Sequence, residues 1–243
     1  KLTRIPVEVC LASEFRYSDP IVEDGTLAIV ISQSGETLDT MAAMREIKSL
    51  GARVLSIVNV VGSTIAREAD DVIYTWAGPE IAVATTKAYS TQLAVVSQLG
   101  IYMDDQRGTI TPEYYAALVA ELERLPDKAA RVLEEQSEIQ HFASRFFNHN
   151  SIFFIGRNLD YATGMEGSLK LKEISYIHSE AYASGELKHG TISLIEPGTL
   201  VIALGTYAPL FDKAMSNVVE VKSRGASVLA LTTESGKAQM ASR

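Results

Sequence analysis

The stretch Leu27-Ala-Ile-Val-Ile-Ser-Gln-Ser-Gly-Glu-Thr37 carries two messages. Its first half is an unbroken, largely β-branched apolar run, the pattern of a buried strand. Its second half is small and rich in hydroxyls, and Leu38 to Leu50 beyond it keeps a helical period that Gly51 can end. A strand that feeds such a loop into a helix gathers backbone N–H groups and the positive end of the helix dipole at one point. Ser32, Ser34 and Thr37 add hydroxyl donors, and Gly35 lets the backbone turn tightly beside a ligand. The pattern predicts an anion cradle; the alternative is that Ser34 or Thr37 only caps the helix.

Further along, strand patterns recur at Val54–Val58, Asp71–Thr75, Ser151–Ile155, Leu200–Leu204 and Val228–Leu231, with helical stretches between them. That alternation predicts crossover units and parallel sheets. It also occurs twice. Lys48-Ser-Leu-Gly-Ala-Arg-Val-Leu55 is matched by Lys222-Ser-Arg-Gly-Ala-Ser-Val-Leu229, 174 residues downstream, and Leu27–Ile31 is matched by Leu200–Leu204. A repeat this far apart indicates two copies of one domain. The repeat supplies a control. Where one copy has Ser32–Thr37, the other has Gly205-Thr-Tyr-Ala-Pro-Leu210, with fewer donors. Hydroxyls needed only as caps would be expected in both copies, so their concentration in one favours a ligand there.

The expected organisation is a first domain over residues 1–103, a bridging loop and helices over 104–150, and a second domain over 151–243. In the bridge, Glu113–Leu125 and Asp127–Asn148 read as helices, the second started by Pro126 and carrying a charged face of Lys128, Arg131, Glu134 and Glu135.

The chain of 243 residues is 47% hydrophobic, enough for one large or two modest cores. Its net charge of −8 argues against nucleic acid and anionic membranes as partners, although a local cradle of N–H groups needs no global positive charge. Cys10, in a strand-like stretch, is the only cysteine, which excludes an internal disulfide and a cysteine zinc cluster and fits a cytoplasmic setting. No apolar run approaches the roughly 20 residues that span a bilayer, and no signal peptide is visible. The start at Lys1 and the polar end at Arg243 are those expected of a piece of a longer chain.

Two further segments hold acid–base candidates. Met165-Glu-Gly-Ser-Leu-Lys-Leu-Lys-Glu-Ile-Ser-Tyr-Ile-His178 has a helical period that puts Glu166, Lys170 and Glu173 on one face; the ordinary reading is a surface ion-pair ladder. In Ala181-Tyr-Ala-Ser-Gly-Glu-Leu-Lys-His-Gly190, two glycines bracket Glu186, Lys188 and His189, a position suited to proton transfer near neutral pH or to a plain loop histidine. His141, His149 and His178 are assigned to structure or solvent. No histidine and carboxylate set has metal-ligand spacing, so neither a catalytic metal nor another cofactor is expected. Gly78-Pro-Glu-Ile-Ala-Val-Ala-Thr-Thr-Lys-Ala88 places small residues and hydroxyls before a helical run to Met103, as a second helix start facing the cradle or as a plain loop.

Together, Ser32–Thr37, Glu80–Ala88, Leu169–His178 with Glu180-Ala-Tyr182, and Gly185–Gly190 resemble the sugar isomerase (SIS) domains of the glucosamine-6-phosphate synthase family, the isomerizing glutamine–fructose-6-phosphate aminotransferases. The likeness covers essentially the whole chain; the first motif recurs across sugar isomerase domains in general, whereas the last two are narrower. The resemblance implies two tandem flavodoxin-like domains, each a parallel sheet between helices. It implies conversion of fructose 6-phosphate and glutamine-derived ammonia to glucosamine 6-phosphate. It gives phosphate binding to Ser32, Gln33, Ser34 and Thr37, and sugar contacts to Val83 and Thr85, where the family commonly has serine; the departure keeps the hydroxyl. Glu173 matches the base that moves a proton between C1 and C2. His189 matches the histidine that opens the sugar ring, contributed across a homodimer interface, and Lys170 and Glu166 match supporting residues. An N-terminal glutaminase domain is the implied partner. Its cysteine, the loop expected before Lys1 and the C-terminal tail whose lysine forms the imine lie outside this sequence, so this span is expected to bind sugar phosphate weakly and not to complete amino transfer. The alternatives are a non-catalytic sugar-phosphate-binding regulator, which needs the cradle but no acid–base pair, and a phosphosugar deglycase or isomerase without glutamine chemistry.

Overall fold

The most legible match between the halves, Lys48-Ser-Leu-Gly-Ala52 against Lys222-Ser-Arg-Gly-Ala226, is a helix stop used twice. In the computed structural model, which describes residues 2–241, Gly51 and Gly225 follow the C-caps of helices Leu38–Ser49 and Phe211–Ser223 at φ +94° and +88°. Each glycine N–H bonds the lysine carbonyl, Gly51 to Lys48 at 3.0 Å and Gly225 to Lys222 at 2.9 Å. Each following alanine reaches one residue further back, Ala52 to Ile47 and Ala226 to Val221, both at 3.2 Å. This double closure satisfies carbonyls that a helix end leaves open, and it needs a left-handed residue that glycine supplies without strain.

The chain divides into two units, Lys1–Val132 and Leu133–Arg243. In the first, α1 (Ala12–Phe15), β1 (Leu27–Ser32), α2 (Leu38–Ser49), β2 (Arg53–Val58), α3 (Thr64–Glu68) and β3 (Asp71–Tyr74) are followed by α4 (Thr86–Gln106), α5 (Pro112–Glu123) and α6 (Leu125–Glu134), which crosses the unit boundary. The strands are parallel in the order β1-β2-β3, with Leu27 opposite Arg53 and Leu55 opposite Asp71. Met41 and Met44 of α2, Val54 and Val58 of β2, and Ile65 of α3 form the core. β2 is buried throughout after Arg53. β1 is not the fully buried strand that its apolar run predicts: Leu27, Ile29 and Ile31 are 40%, 42% and 45% exposed while Ala28 and Ser32 are buried. It stands at a sheet edge, and its core contacts lie on one face only.

The second unit holds α7 (Gln136–Phe146), β4 (Ser151–Gly156), α8 (Leu159–Ser175), β5 (His178–Ala183), β6 (Leu200–Gly205), α9 (Phe211–Ser223), β7 (Ser227–Thr232) and α10 (Glu234–Ala241), with 3₁₀ turns at Ser184–His189 and Thr191–Leu194. Its sheet is parallel in the order β5-β4-β6-β7. Counted from β4, that is 2-1-3-4, the opening of a flavodoxin-type winding. Phe153, Ile155, Leu187, Val201, Phe211, Val218 and Val221 build its core.

Three sequence expectations are corrected. The helix expected to reach His178 stops at Ser175; Tyr176 turns the chain at φ +61° and His178 opens β5. The run His-Ser-Glu-Ala-Tyr-Ala has no apolar alternation to announce a strand, and pairing with β4 in the register Ser151 opposite His178 holds it in place. The single helix expected over Asp127–Asn148 is two, broken at Glu135 (φ −87°, ψ 20°). Cys10 is exposed and lies outside any strand.

Candidate functional site

Thr37 stands at the N-cap of α2 with extended backbone, yet its side chain makes no capping bond. Its Oγ1 lies 2.9 Å from Ser32 Oγ, which also accepts the Gly35 N–H at 3.1 Å. Ser34 Oγ accepts the Glu36 N–H at 3.1 Å. The hydroxyls of Ser32–Thr37 therefore knit the loop to itself at the carboxyl end of β1, and the capping alternative fails for Thr37. Ser32 is 6% exposed, and Gln33 and Ser34 are half-buried.

A second layer braces this loop. Gln33 C=O accepts the Asn59 N–H and Gly35 C=O the Ile65 N–H, both at 3.0 Å. Glu36 Oε1 accepts the Thr64 N–H at 2.7 Å, and that backbone bond holds the Glu36 carboxyl below its ordinary range. The loop's own carboxylate is thus tied to the start of α3. Gly35, at φ +67°, lies on buried Ser63, whose Oγ would be 2.0 Å from a Cβ built at Gly35. Only glycine fits.

The segment after β3 is kinked. Trp76 and Thr85 have φ +53° and Gly78 φ +71°. Thr85 is the N-cap of α4, and its hydroxyl donates to the Val83 carbonyl at 2.9 Å. Val83 is 94% exposed.

In the second unit, α8 aligns Glu166, Lys170 and Glu173. Lys170 Nζ is 3.5 Å from Glu166 Oε1 and 2.7 Å from Glu173 Oε2. Burial alone would lower the Lys170 pKa, but the Glu173 hydrogen bond and the charges of both carboxylates outweigh it and raise it. His189 is exposed at the end of the Ser184–His189 turn, which fully buried Leu187 and nearly buried Ser184 fasten to the core. Lys188 Nζ lies 3.6 Å from Glu220 Oε1. His178 belongs to β5, with Nδ1 3.4 Å from Ser151 Oγ and Nε2 3.8 Å from Glu180 Oε1.

The turn that corresponds to the cradle in the second unit is filled from within. Asp160, 5% exposed, accepts the Thr206 N–H at 3.0 Å and the Tyr207 N–H at 3.2 Å through Oδ2, and the Thr206 hydroxyl through Oδ1. A side-chain carboxylate sits on the amides that follow β6.

The structure brings together Ser32, Ser34 and Thr37 in one loop, Val83 and Thr85 in one segment, and Glu166, Lys170 and Glu173 on one helix; His189 stands on its own turn. Sequence reasoning missed Glu36, Asn59 and Ser63, which brace the cradle. Asn59-Val-Val-Gly-Ser-Thr64 reads only as a turn after a strand. Among the described residues, no group of three or more His, Cys, Asp and Glu side chains is gathered as a metal ion would require, and no helix is long and apolar enough to cross a membrane.

The family model for the SIS domain matches residues 1–102 and 145–241. The chain is 57% identical to the glutamine–fructose-6-phosphate aminotransferase (isomerizing) of Clostridium acetobutylicum and 58% identical to that of Clostridium tetani, over 98% of its own length in both cases. It spans 39% of the length of each of these curated relatives. Among solved structures, the C-terminal domain of glucosamine-fructose-6-phosphate aminotransferase from Francisella tularensis superimposes with a TM-score of 0.94 at 38% identity, covering 98% of this chain and 68% of that one.

Proposed function

Because the chain belongs to the SIS domain family, we propose that it is the sugar-isomerising part of a glutamine–fructose-6-phosphate aminotransferase, converting fructose 6-phosphate and glutamine-derived ammonia to glucosamine 6-phosphate. The observation that carries this reading is the Ser32–Thr37 loop, braced from β2 and α3 while Thr37 leaves its helix uncapped. Ser32, Gln33, Ser34 and Thr37 hold the phosphate, and Val83 and Thr85 line the sugar. Fixing the phosphate far from the reacting carbons keeps them in register at no cost to the chemical step.

His189 shuttles a proton between the ring oxygen and the anomeric hydroxyl, which opens the hemiketal and frees the C2 carbonyl. Once C2 carries the protonated imine, the Glu173 carboxylate takes a proton from C1 to give the enolamine and returns it to C2 as the O1 hydroxyl releases its own proton to solvent, leaving C1 as the aldehyde carbon and C2 bearing the amine. Lys170 orients that carboxylate through the bond at 2.7 Å, with Glu166 balancing it from the preceding turn. The working assembly in this reading is a cytoplasmic homodimer in which a glutaminase domain supplies ammonia.

The test uses the full-length protein. Titration with fructose 6-phosphate is expected to show affinity at least about tenfold weaker when Ser32→Ala is combined with Ser34→Ala, since charge-assisted hydrogen bonds to the phosphate are lost. Unchanged affinity overturns the cradle. Glu173→Gln is expected to bind the sugar phosphate as the unaltered protein does while turnover falls by about 100-fold or more; normal turnover overturns the proton-transfer role.

A further inference from the structure

At the carboxyl end of β2, one side chain grips the chain on both sides of a strained residue. Asn59 Oδ1 accepts the Thr75 hydroxyl at 3.1 Å and the Ala77 N–H at 2.9 Å, and its Nδ2 donates to the Gly78 carbonyl at 2.8 Å. Its backbone N–H meanwhile donates to the Gln33 carbonyl inside the cradle. Trp76, enclosed by these three bonds, sits at φ +53°, a left-handed conformation that a bulky side chain resists. Gly78 follows at φ +71°. Backbone strain of this kind persists only where the surroundings over-determine it, and here three bonds to one amide do so.

From this geometry we infer that Asn59 is the positioning residue that sets the sugar-facing segment, with Val83 and Thr85, in register with the phosphate cradle. The inference rests on the reading of Ser32–Thr37 as a phosphate site and adds to it a residue that touches neither phosphate nor sugar. The main-chain bond fixes the end of β2 to the phosphate loop; the side-chain amide fixes the start of the 75–85 segment to the same point. A ligand that uses only the cradle does not depend on the side chain. A ligand that must reach both parts at once does, because the entropy of ordering the segment is spent before it binds.

The experiment compares two probes on the full-length protein, fructose 6-phosphate and inorganic phosphate, the latter measured as a competitor. Asn59→Ala removes the three side-chain bonds and keeps the main-chain bond to Gln33. It is expected to weaken fructose 6-phosphate about tenfold and to leave inorganic phosphate within about twofold. Asn59→Asp keeps the two bonds accepted by Oδ1, loses the one donated to Gly78, and is expected to fall between. Should Asn59→Ala not fold, Asn59→Asp decides by the same ratio of the two affinities. Equal weakening of both probes, or weakening of neither, overturns the inference. Failure of the unaltered protein to bind fructose 6-phosphate overturns the underlying site reading instead, and this inference with it.

Discussion

Gly35 concentrates the demands of the Ser32–Thr37 loop into one position. Its φ of +67° and the buried Ser63 beneath it leave room for no side chain. Gly35→Ala must either flip the loop or push Ser63 and α3 away, at a cost of about 1–3 kcal/mol in stability. Fructose 6-phosphate affinity in the full-length protein is expected to fall by more than tenfold, because the Ser32–Thr37 and Ser34–Glu36 bonds span this residue and Ser32 Oγ accepts its N–H; calorimetric titration beside a melting curve measures both. A variant with unaltered affinity contradicts the account of the loop. At this scale, what the sequence announced was what lies close in the chain: hydroxyls, a glycine, a helix start. What it hid acts from a distance. Asn59 and Ser63 reach the loop from the next crossover. Asp160 reaches Thr206 across 46 residues with nothing in its neighbourhood to mark it.

Helix ends and strands were read with uneven success, for reasons that differ between them. The stops of α2 and α9 are local, since Gly51 and Gly225 supply a conformation that other residues avoid, and so they appear in the sequence as a repeat. β5 is legible only through its neighbour, because its polar run acquires strand geometry from β4. The two stops also differ. A Cβ at Gly51 would meet nothing within 4 Å, whereas one at Gly225 would lie 2.9 Å from Pro197 Cα. Gly51→Ala is therefore expected to cost about 1 kcal/mol, the price of a left-handed alanine, and Gly225→Ala clearly more. Chemical denaturation of the two variants measures the difference; equal costs would contradict the contact with Pro197.

Across the molecule, ion pairs contribute to the pH dependence of stability. Hydrogen bonds from Arg45 to Glu68, from Lys48 to Asp70 and from Arg53 to Asp71 hold these carboxyls below their ordinary range. A carboxyl depressed on folding stabilises above its unfolded pKa near about 4 and loses that contribution as pH falls through its folded value. Lys170 is shifted upward, so its contribution is complete below its unfolded pKa near about 10.4 and disappears only as pH rises through its folded value. Melting temperature is expected to fall modestly below about pH 4 and above about pH 10.5. The acid limb should shrink in about 1 M salt, because the Arg45, Lys48 and Arg53 pairs are exposed and screened; an acid limb insensitive to salt contradicts this assignment. Two parallel sheets, one with a hydroxyl-lined turn and the other with that turn filled by Asp160, were foreshadowed by the internal repeat, though not the identity of the filler. The asymmetry makes the account directly testable by a structure of the full-length protein with fructose 6-phosphate bound. The phosphate is expected within about 3 Å of Ser32, Ser34 and Thr37; a phosphate bound anywhere else, with that loop empty, would contradict it.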